Sequence, residues 1–166
     1  SWIRYQFGAS VLRLYFSTSR PVWGELYQLT TRLLPQSPAF WQLFAVFWRW
    51  LTAVLCWIIV LQLWPRRRQL AFTVSMLFLL YPGFNLQWVS FLSTHFYIVL
   101  CFFLLSYACM FWSFRPPRWL PSAWPFAVSA LLCSALNLWM MEYFFFLELI
   151  RPFFISIPLQ DDTEIQ

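Results

Sequence analysis

The sequence has few charged residues and no lysine. Charged side chains make up 10% of its 166 residues, whereas hydrophobic side chains make up 61% and aromatic ones 23%. Soluble domains carry about 25% charged residues, and 11 basic and 6 acidic side chains cannot cover a globule of this size. The scarcity of charge excludes an ordinary water-soluble fold, and the aromatic content excludes a disordered chain. The sequence therefore predicts a membrane protein whose partner is the lipid bilayer.

Acidic residues are almost absent from the body of the chain, which contains only Glu25, Glu142 and Glu148. The other three acids lie in the last six residues. All the basic residues are arginine, and their one consecutive run is at 66–68. A nucleic-acid interface needs a broader basic patch, so no nucleic-acid partner is predicted. Arginines that close cytoplasmic loops explain this pattern better.

Long stretches without charge predict membrane-spanning helices. Residues 69–114 contain no charged side chain, and as one helix they would be about 69 Å long, twice the thickness of a bilayer core. The Tyr-Pro-Gly-Phe-Asn sequence at 81–85 predicts a turn that divides this stretch. The predicted spans are 39–64, 69–81, 88–113 and 122–141, with 143–159 as a candidate fifth span that contains Arg151-Pro152.

The expected fold class is all-α, a polytopic membrane helix bundle with four spans and a candidate fifth. Residues 1–38 are predicted to be an outward-facing loop with an N-terminal interfacial amphipathic helix, and prolines divide the part of this loop that leads into the first span. Residues 39–159 are the predicted bundle, and 160–166 are an acidic polar tail. With the arginine-rich loops in the cytoplasm, the 81–85 turn and Glu142 face outward.

Polar residues within apolar segments are the candidates for function, because such groups are costly in a membrane. Arg49 is either a phosphate-binding cation facing an outer cavity or an arginine that extends to the interface beside two tryptophans. Gln87, Ser90, Thr94 and Tyr97 share one helical face, which lines a cavity or joins helices by hydrogen bonds.

Three further features complete the candidates. His95 lies beside the polar face but has no nucleophile or acid at the spacing of a catalytic triad. Glu142 could serve as a general base, a metal ligand or the partner of an arginine. Glu148 and Arg151 are spaced to form an ion pair on a helix.

The four cysteines lie in apolar stretches without metal-ligand spacing, which indicates small buried hydrophobic residues.

The order of these features resembles that of the GT-C superfamily of membrane glycosyltransferases over residues 20–155. The similarity begins at Arg20-Pro21-Val22-Trp23, continues through the proline-bounded 33–38 link, and includes a polar residue at Arg49 in the next span. Tyr-Pro-Gly-Phe at 81–84, followed by Gln87, and the break at Glu142 extend it.

This resemblance implies inverting transfer of a sugar from a polyprenyl-phosphate donor at the outer face of a bacterial inner membrane. Arg20 and Arg49 would hold the donor phosphate. Gln87, His95 and Glu142 would line the cavity, with Glu142 as the catalytic candidate. A divalent cation would be the cofactor of an active enzyme of this kind, although the sequence itself indicates no metal site.

The chain differs from the superfamily where a catalytic acid is expected. That acid precedes the Arg-Pro pair, but residues 1–19 contain none, and Asn85 and Gln87 stand where a second acid often occurs. An amide cannot accept a proton as a carboxylate can. We therefore expect a fragment whose catalytic acid lies upstream of Ser1, or an inactive copy. A non-catalytic membrane scaffold or assembly subunit is the alternative, and a transporter ranks last because no repeat is visible.

Overall fold

The computed structural model describes residues 21–35, 37–81, 90–114, 122–154 and 156, and within these ranges it contains helices and no strand. The all-α prediction is therefore confirmed for the described residues. The elements are α1 (Pro21–Leu33), α2 (Pro38–Leu63), α3 (Arg68–Leu80), α4 (Ser90–Phe114), α5 (Trp124–Met140), a 3-10 turn (Glu142–Phe144) and α6 (Phe145–Glu148).

Two of these helices are long and apolar enough to cross a membrane. They are α2, with 26 residues, and the Ser93–Phe114 part of α4, with 22 residues. Large apolar side chains are also widely exposed, including Leu33 (72%), Leu80 (73%) and Phe146 (74%). Soluble monomers rarely expose large contiguous apolar patches, so helix length and surface composition both support a membrane protein.

The other predicted spans are not confirmed at the length of a membrane crossing. α3 has 13 residues and α5 has 17, whereas a spanning helix needs about 20. The candidate span 143–159 is interrupted over its described residues. Met141 is extended at the end of α5, with φ −152° and ψ 103°, and the 3-10 turn and the four-residue α6 follow it.

The predicted breaks in the apolar sequence are observed. α2 ends at Leu63, just before Pro65 and the arginines, and α3 starts at Arg68. The charge-free stretch 69–114 does not form one helix, because α3 ends at Leu80 and α4 starts at Ser90. Of the predicted 81–85 turn, only Tyr81 is described, and it lies outside the helix; the other four residues fall outside the described ranges.

The segment that follows residue 20 differs from the expected loop. We expected Pro21 and Pro35 to bound irregular chain, but residues Pro21–Leu33 form α1. Proline is favoured at the first position of a helix, where its missing N–H has no intrahelical acceptor anyway. Trp23, Tyr27 and Thr30 recur on one face of α1, and all three are buried. The predicted amphipathic helix, which rests on the spacing of residues 3, 7, 11 and 14, lies outside the described residues.

Internal contacts divide the chain into two compact units. In the described residues, unit 1 comprises 21–35, 37–49 and 90–98, and unit 2 comprises 50–81, 99–114, 122–154 and 156. Both divisions therefore fall inside a helix, one in α2 and one in α4.

Unit 2 has an apolar core between the later parts of α2 and α4. Its buried members are Ile59, Leu63, Phe103, Tyr107, Ala108, Cys109, Met110, Phe111 and Ala130. A hydrogen bond of 3.0 Å also joins Thr52 Oγ1 in α2 to Cys101 Sγ in α4. Burial of Cys101 and Cys109 agrees with their predicted role as small hydrophobic residues, whereas Cys56 and Cys133 are partly buried.

A charged network attaches the residues after α6 to this core. The predicted pair of Glu148 and Arg151 is confirmed, with Arg151 Nη2 lying 2.6 Å from Glu148 Oε2. Arg151 Nη2 also donates to the buried Ser106 hydroxyl oxygen at 2.8 Å, and the Ser134 hydroxyl donates to Glu148 Oε1 at 3.1 Å. The pair therefore links α4 and α5 to the chain beyond α6.

Tyr107 adds two contacts to the same network. Its hydroxyl donates to the carbonyl oxygen of Leu147 at 2.8 Å, and the Arg151 guanidinium carbon lies 4.5 Å from the centre of its ring. A guanidinium over an aromatic face is attracted to the ring electrons. Tyr107 thus holds both the backbone of α6 and the cation that follows it.

A double-mutant cycle tests the contribution of this pair to stability. We expect Glu148→Gln and Arg151→Gln each to lower the free energy of unfolding by about 1.5–3 kcal/mol, because each leaves a largely buried charge without its counter-charge. The double variant should lose less than the sum of the two. Thermal unfolding of the four proteins in detergent measures the coupling, and additivity within about 0.5 kcal/mol would contradict an energetically important pair.

Candidate functional site

The polar residues of unit 1 meet where α1 packs against the first turns of α4. Tyr27 of α1 and His95 of α4 stack with their ring centroids 3.7 Å apart and their planes at 26°. Both side chains are almost completely inaccessible, with exposed fractions of 1% and 0%. His95 is therefore held within the protein and has no open route to solvent in this arrangement.

Thr30 binds the same imidazole from one turn farther along α1. Its Oγ1 lies 3.0 Å from His95 Nε2, and it also lies 3.0 Å and 3.1 Å from the carbonyl oxygens of Leu26 and Tyr27. A hydroxyl has one hydrogen to donate. Thr30 therefore either donates this hydrogen to Nε2 or gives it to a carbonyl oxygen and accepts a hydrogen bond from Nε2–H, depending on the tautomer of His95.

Trp23 closes the apolar side of the site. Its ring lies 6.4 Å from that of His95 and 5.4 Å from that of Phe96, the latter in an edge-to-face arrangement. It also lies 6.1 Å from the ring of Tyr27. We define these residues, Trp23, Tyr27, Thr30 and His95, as the His95 cluster. It combines one hydrogen-bonded imidazole with a wall of aromatic rings.

Burial changes the acidity of the cluster's phenol. Loss of hydration raises the pKa of Tyr27 from 10.0 to about 12, against a smaller opposite effect of the neighbouring Trp23 side chain. Desolvation disfavours the charged phenolate. Tyr27 is therefore a neutral hydroxyl at physiological pH.

Arg49 is the charged residue of α2, and it lies near the middle of this helix. It lies within the apolar Pro38–Leu63 helix, is partly buried, and has a buried Nε atom. Its charge acts electrostatically on Tyr97, a 6% exposed phenol in the unit 1 part of α4. Thr94, on the polar face predicted for this helix, is completely buried. Unit 1 thus contains an arginine and a histidine associated with phenol rings.

The remaining predicted site residues fall elsewhere. Arg20 and Gln87 lie outside the described residues. Glu142 is exposed at the start of the 3-10 turn and belongs to unit 2. The structure therefore brings Arg49 and His95 into one unit, and the substrate-binding and catalytic roles of all five residues stay predictions.

Sequence reasoning missed Tyr27 and Thr30, the residues that enclose His95. The signal that could have found them is the spacing of Trp23, Tyr27 and Thr30, four and then three residues apart, which places them on one face of a helix. Their partner His95 is 65 positions from Thr30, so periodicity could reveal the face but not what it contacts.

The described residues contain no group of three or more His, Cys, Asp or Glu side chains arranged to hold a metal ion. The divalent cation implied by the resemblance thus has no matching set of ligands in this part of the chain. Comparison with protein-family models, with curated proteins and with solved structures finds no match to the chain.

Two neighbouring threonines provide a matched test of the His95 cluster. We expect Thr30→Val to lower the free energy of unfolding by about 1–3 kcal/mol, because it removes the partner of the buried His95 Nε2. The control is Thr31→Val, since the Thr31 hydroxyl contacts only the carbonyl oxygens of Tyr27 and Gln28, at 2.7 Å and 3.1 Å. Thermal unfolding that shifts equally in both variants would contradict a stabilising Thr30–His95 bond.

The raised pKa of Tyr27 predicts a loss of stability at alkaline pH. In the unfolded chain the phenol ionises near pH 10, whereas in the folded protein it stays neutral until about pH 12. Its stabilising contribution is complete below pH 10 and is lost as pH rises toward 12. Unfolding measured between these values should show a flatter pH dependence in Tyr27→Phe than in the wild type. If the stability of the two proteins changes with pH in the same way, the raised pKa of Tyr27 is contradicted.

Proposed function

We propose that this chain is part of a membrane glycosyltransferase that takes a sugar from a lipid-phosphate donor at the outer face of the membrane. The support is the order of motifs that resembles the GT-C superfamily, together with the position of Arg49. An ionisable residue inside an apolar membrane helix is costly, and such residues commonly face a cavity or a partner. Arg49 is such a residue in one of the two helices long enough to cross a membrane.

The partly buried state of Arg49 is the observation on which the proposal rests. A fully exposed arginine would bind phosphate in competition with water, and a fully buried one could not reach a ligand. Partial burial lowers the local dielectric and strengthens a charge-assisted hydrogen bond to a phosphate oxygen. Tyr97, on which the Arg49 charge acts, supplies a neighbouring phenol in unit 1.

In the proposed reaction, the acceptor hydroxyl oxygen attacks the anomeric carbon of the donor sugar with inversion. The bond from that carbon to the phosphate oxygen breaks, polyprenyl phosphate leaves with the electron pair, and the hydroxyl proton passes to a carboxylate. Arg20 and Arg49 hold the phosphate, and Gln87 belongs to the substrate-binding set. His95 is completely buried, so its predicted part in substrate binding requires the His95 cluster to open. Glu142, which is exposed, is the carboxylate proposed to accept the proton.

The proposed membrane topology places the arginine-rich loops, 66–68 and 115–118, in the cytoplasm of a bacterial cell. Positive loops are retained on the cytoplasmic side of the inner membrane. α3 and α5 would be short crossings in this arrangement, and Glu142 would face outward.

A non-catalytic scaffold is the second candidate, and the His95 cluster favours it. Polar residues that hydrogen-bond between helices hold membrane proteins together without any chemistry. His95 is completely buried against Thr30 and Tyr27, which is the arrangement expected of such a contact. In this alternative Arg49 extends to the interface and binds no substrate.

Binding of a prenyl phosphate distinguishes the two candidates. We expect the protein in detergent to bind prenyl phosphate more tightly than the matching prenyl alcohol, and Arg49→Gln to weaken that binding about 10- to 150-fold, since a charged hydrogen bond contributes about 1.5–3 kcal/mol. The control is Arg32→Gln, which removes an exposed charge from α1. Titration followed by thermal shift measures both affinities.

Two results would contradict the enzyme proposal. Equal affinity for the phosphate and the alcohol would show that the protein does not recognise the charged group, as the scaffold alternative expects. Equal effects of Arg49→Gln and Arg32→Gln would show that net charge, and not the position of Arg49, governs binding. Sugar release from polyprenyl-phosphate sugars, measured on membranes containing the protein, then tests catalysis separately.

A further inference from the structure

The connection between α2 and α3 presents three consecutive arginines on an open surface. α2 ends at Leu63 and α3 begins at Arg68. Residues 64–70 are all exposed. We call residues 66–68 the arginine turn. It supplies three of the six residues that line a concavity of about 640 Å³, the others being Pro65, Gln69 and Leu70.

No acidic residue lies near the arginine turn in the sequence. The chain contains no Asp or Glu between Glu25 and Glu142. Among the described residues, no ion pair or side-chain hydrogen bond joins the arginine turn to another part of the protein. Three adjacent guanidinium groups repel one another, and an anion with several acceptor oxygens would relieve this repulsion while receiving charge-assisted hydrogen bonds.

The start of α3 reinforces the preference for an anion. Arg67 occupies the cap position without a side-chain hydrogen bond to the helix, and the first turn contains no acidic residue. The positive end of the helix dipole disfavours cations and favours anions. The arginines therefore stand where their charge is unfavourable in the protein alone and favourable when an anion is bound.

We propose that the arginine turn binds the phosphate group of an anionic phospholipid at the membrane surface. The position of the arginine turn indicates that the phosphate belongs to a lipid, because the turn follows the 26-residue apolar helix α2. Trp64, which is 39% exposed, separates that helix from the arginines, and tryptophan is enriched at the membrane interface. The concavity thus lies at the depth of lipid headgroups. The arginine turn belongs to unit 2, whereas Arg49 belongs to unit 1.

The test compares lipid binding by the purified full chain and two triple variants. The first replaces Arg66, Arg67 and Arg68 by glutamine, and the second replaces them by lysine, which keeps the charge but removes the planar, two-pronged donor. Phosphatidylglycerol is titrated into the protein in neutral detergent, with phosphatidylcholine as the neutral lipid. Thermal shift and native mass spectrometry report the binding.

We expect the wild type to bind phosphatidylglycerol more tightly than phosphatidylcholine. The glutamine variant should bind phosphatidylglycerol roughly 100-fold more weakly, since each basic residue near an anionic lipid surface contributes about a factor of five. The affinity of the lysine variant for phosphatidylglycerol should lie between those of the wild type and the glutamine variant. Arg32→Gln, which removes a single exposed charge, should leave the affinity unchanged.

Several outcomes would overturn the proposal. If the glutamine variant retains the wild-type affinity, the arginine turn is not the site. If the lysine variant equals the wild type, charge alone attracts the lipid and no arginine-specific site exists. If inorganic phosphate or glycerol phosphate binds as tightly as the lipid, the ligand is a soluble anion. Should the glutamine variant unfold, the three single Arg→Gln substitutions replace it, and each should weaken binding several-fold.

Discussion

A polar group among apolar helices is costly unless it finds a hydrogen-bond partner inside the protein, because neither lipid nor an apolar core can supply one. His95 meets this requirement with Thr30, and Thr52 meets it with Cys101. Ser75 instead bonds to the carbonyl oxygen one turn back in its own helix. The first two bonds connect different helices, so they also determine which helical faces can meet. Satisfying a few buried polar groups thereby specifies the packing of a chain whose apolar surfaces would otherwise fit in many ways.

The same requirement explains how charges are distributed in unit 2. Glu148 and Arg151 are largely buried, but each has its counter-charge three residues away and a serine hydroxyl from another helix. A charge pair formed within one segment needs no distant partner to be neutral. The serines then position that pair against the rest of the unit.

Features that depend on neighbours in the chain were predictable. The Glu148–Arg151 pair follows from helical spacing, and the ends of α2 and α3 follow from proline, glycine and the arginine run. Pro21 was expected in a loop but begins α1. A proline can either end or begin a helix, and the sequence near Pro21 does not show that Trp23 and Tyr27 will be buried by packing of this segment. The Thr30–His95 contact could not be predicted, since it joins residues 65 positions apart and many apolar faces could have met instead.

The helices differ greatly in length, and this has a mechanical consequence for the surrounding lipid. With 1.5 Å per residue, α2 is about 39 Å long and α3 about 20 Å. A bilayer with a hydrocarbon core of about 30 Å cannot match both when they stand upright. An apolar helix that is longer than the core, as α2 is, can tilt, kink or locally thicken the bilayer. A helix as short as α3 can accommodate to the same bilayer only by thinning it or by remaining partly at its surface. If both helices lie in the membrane, hydrophobic mismatch makes the chain sensitive to membrane thickness, and a thin membrane suits α3 best.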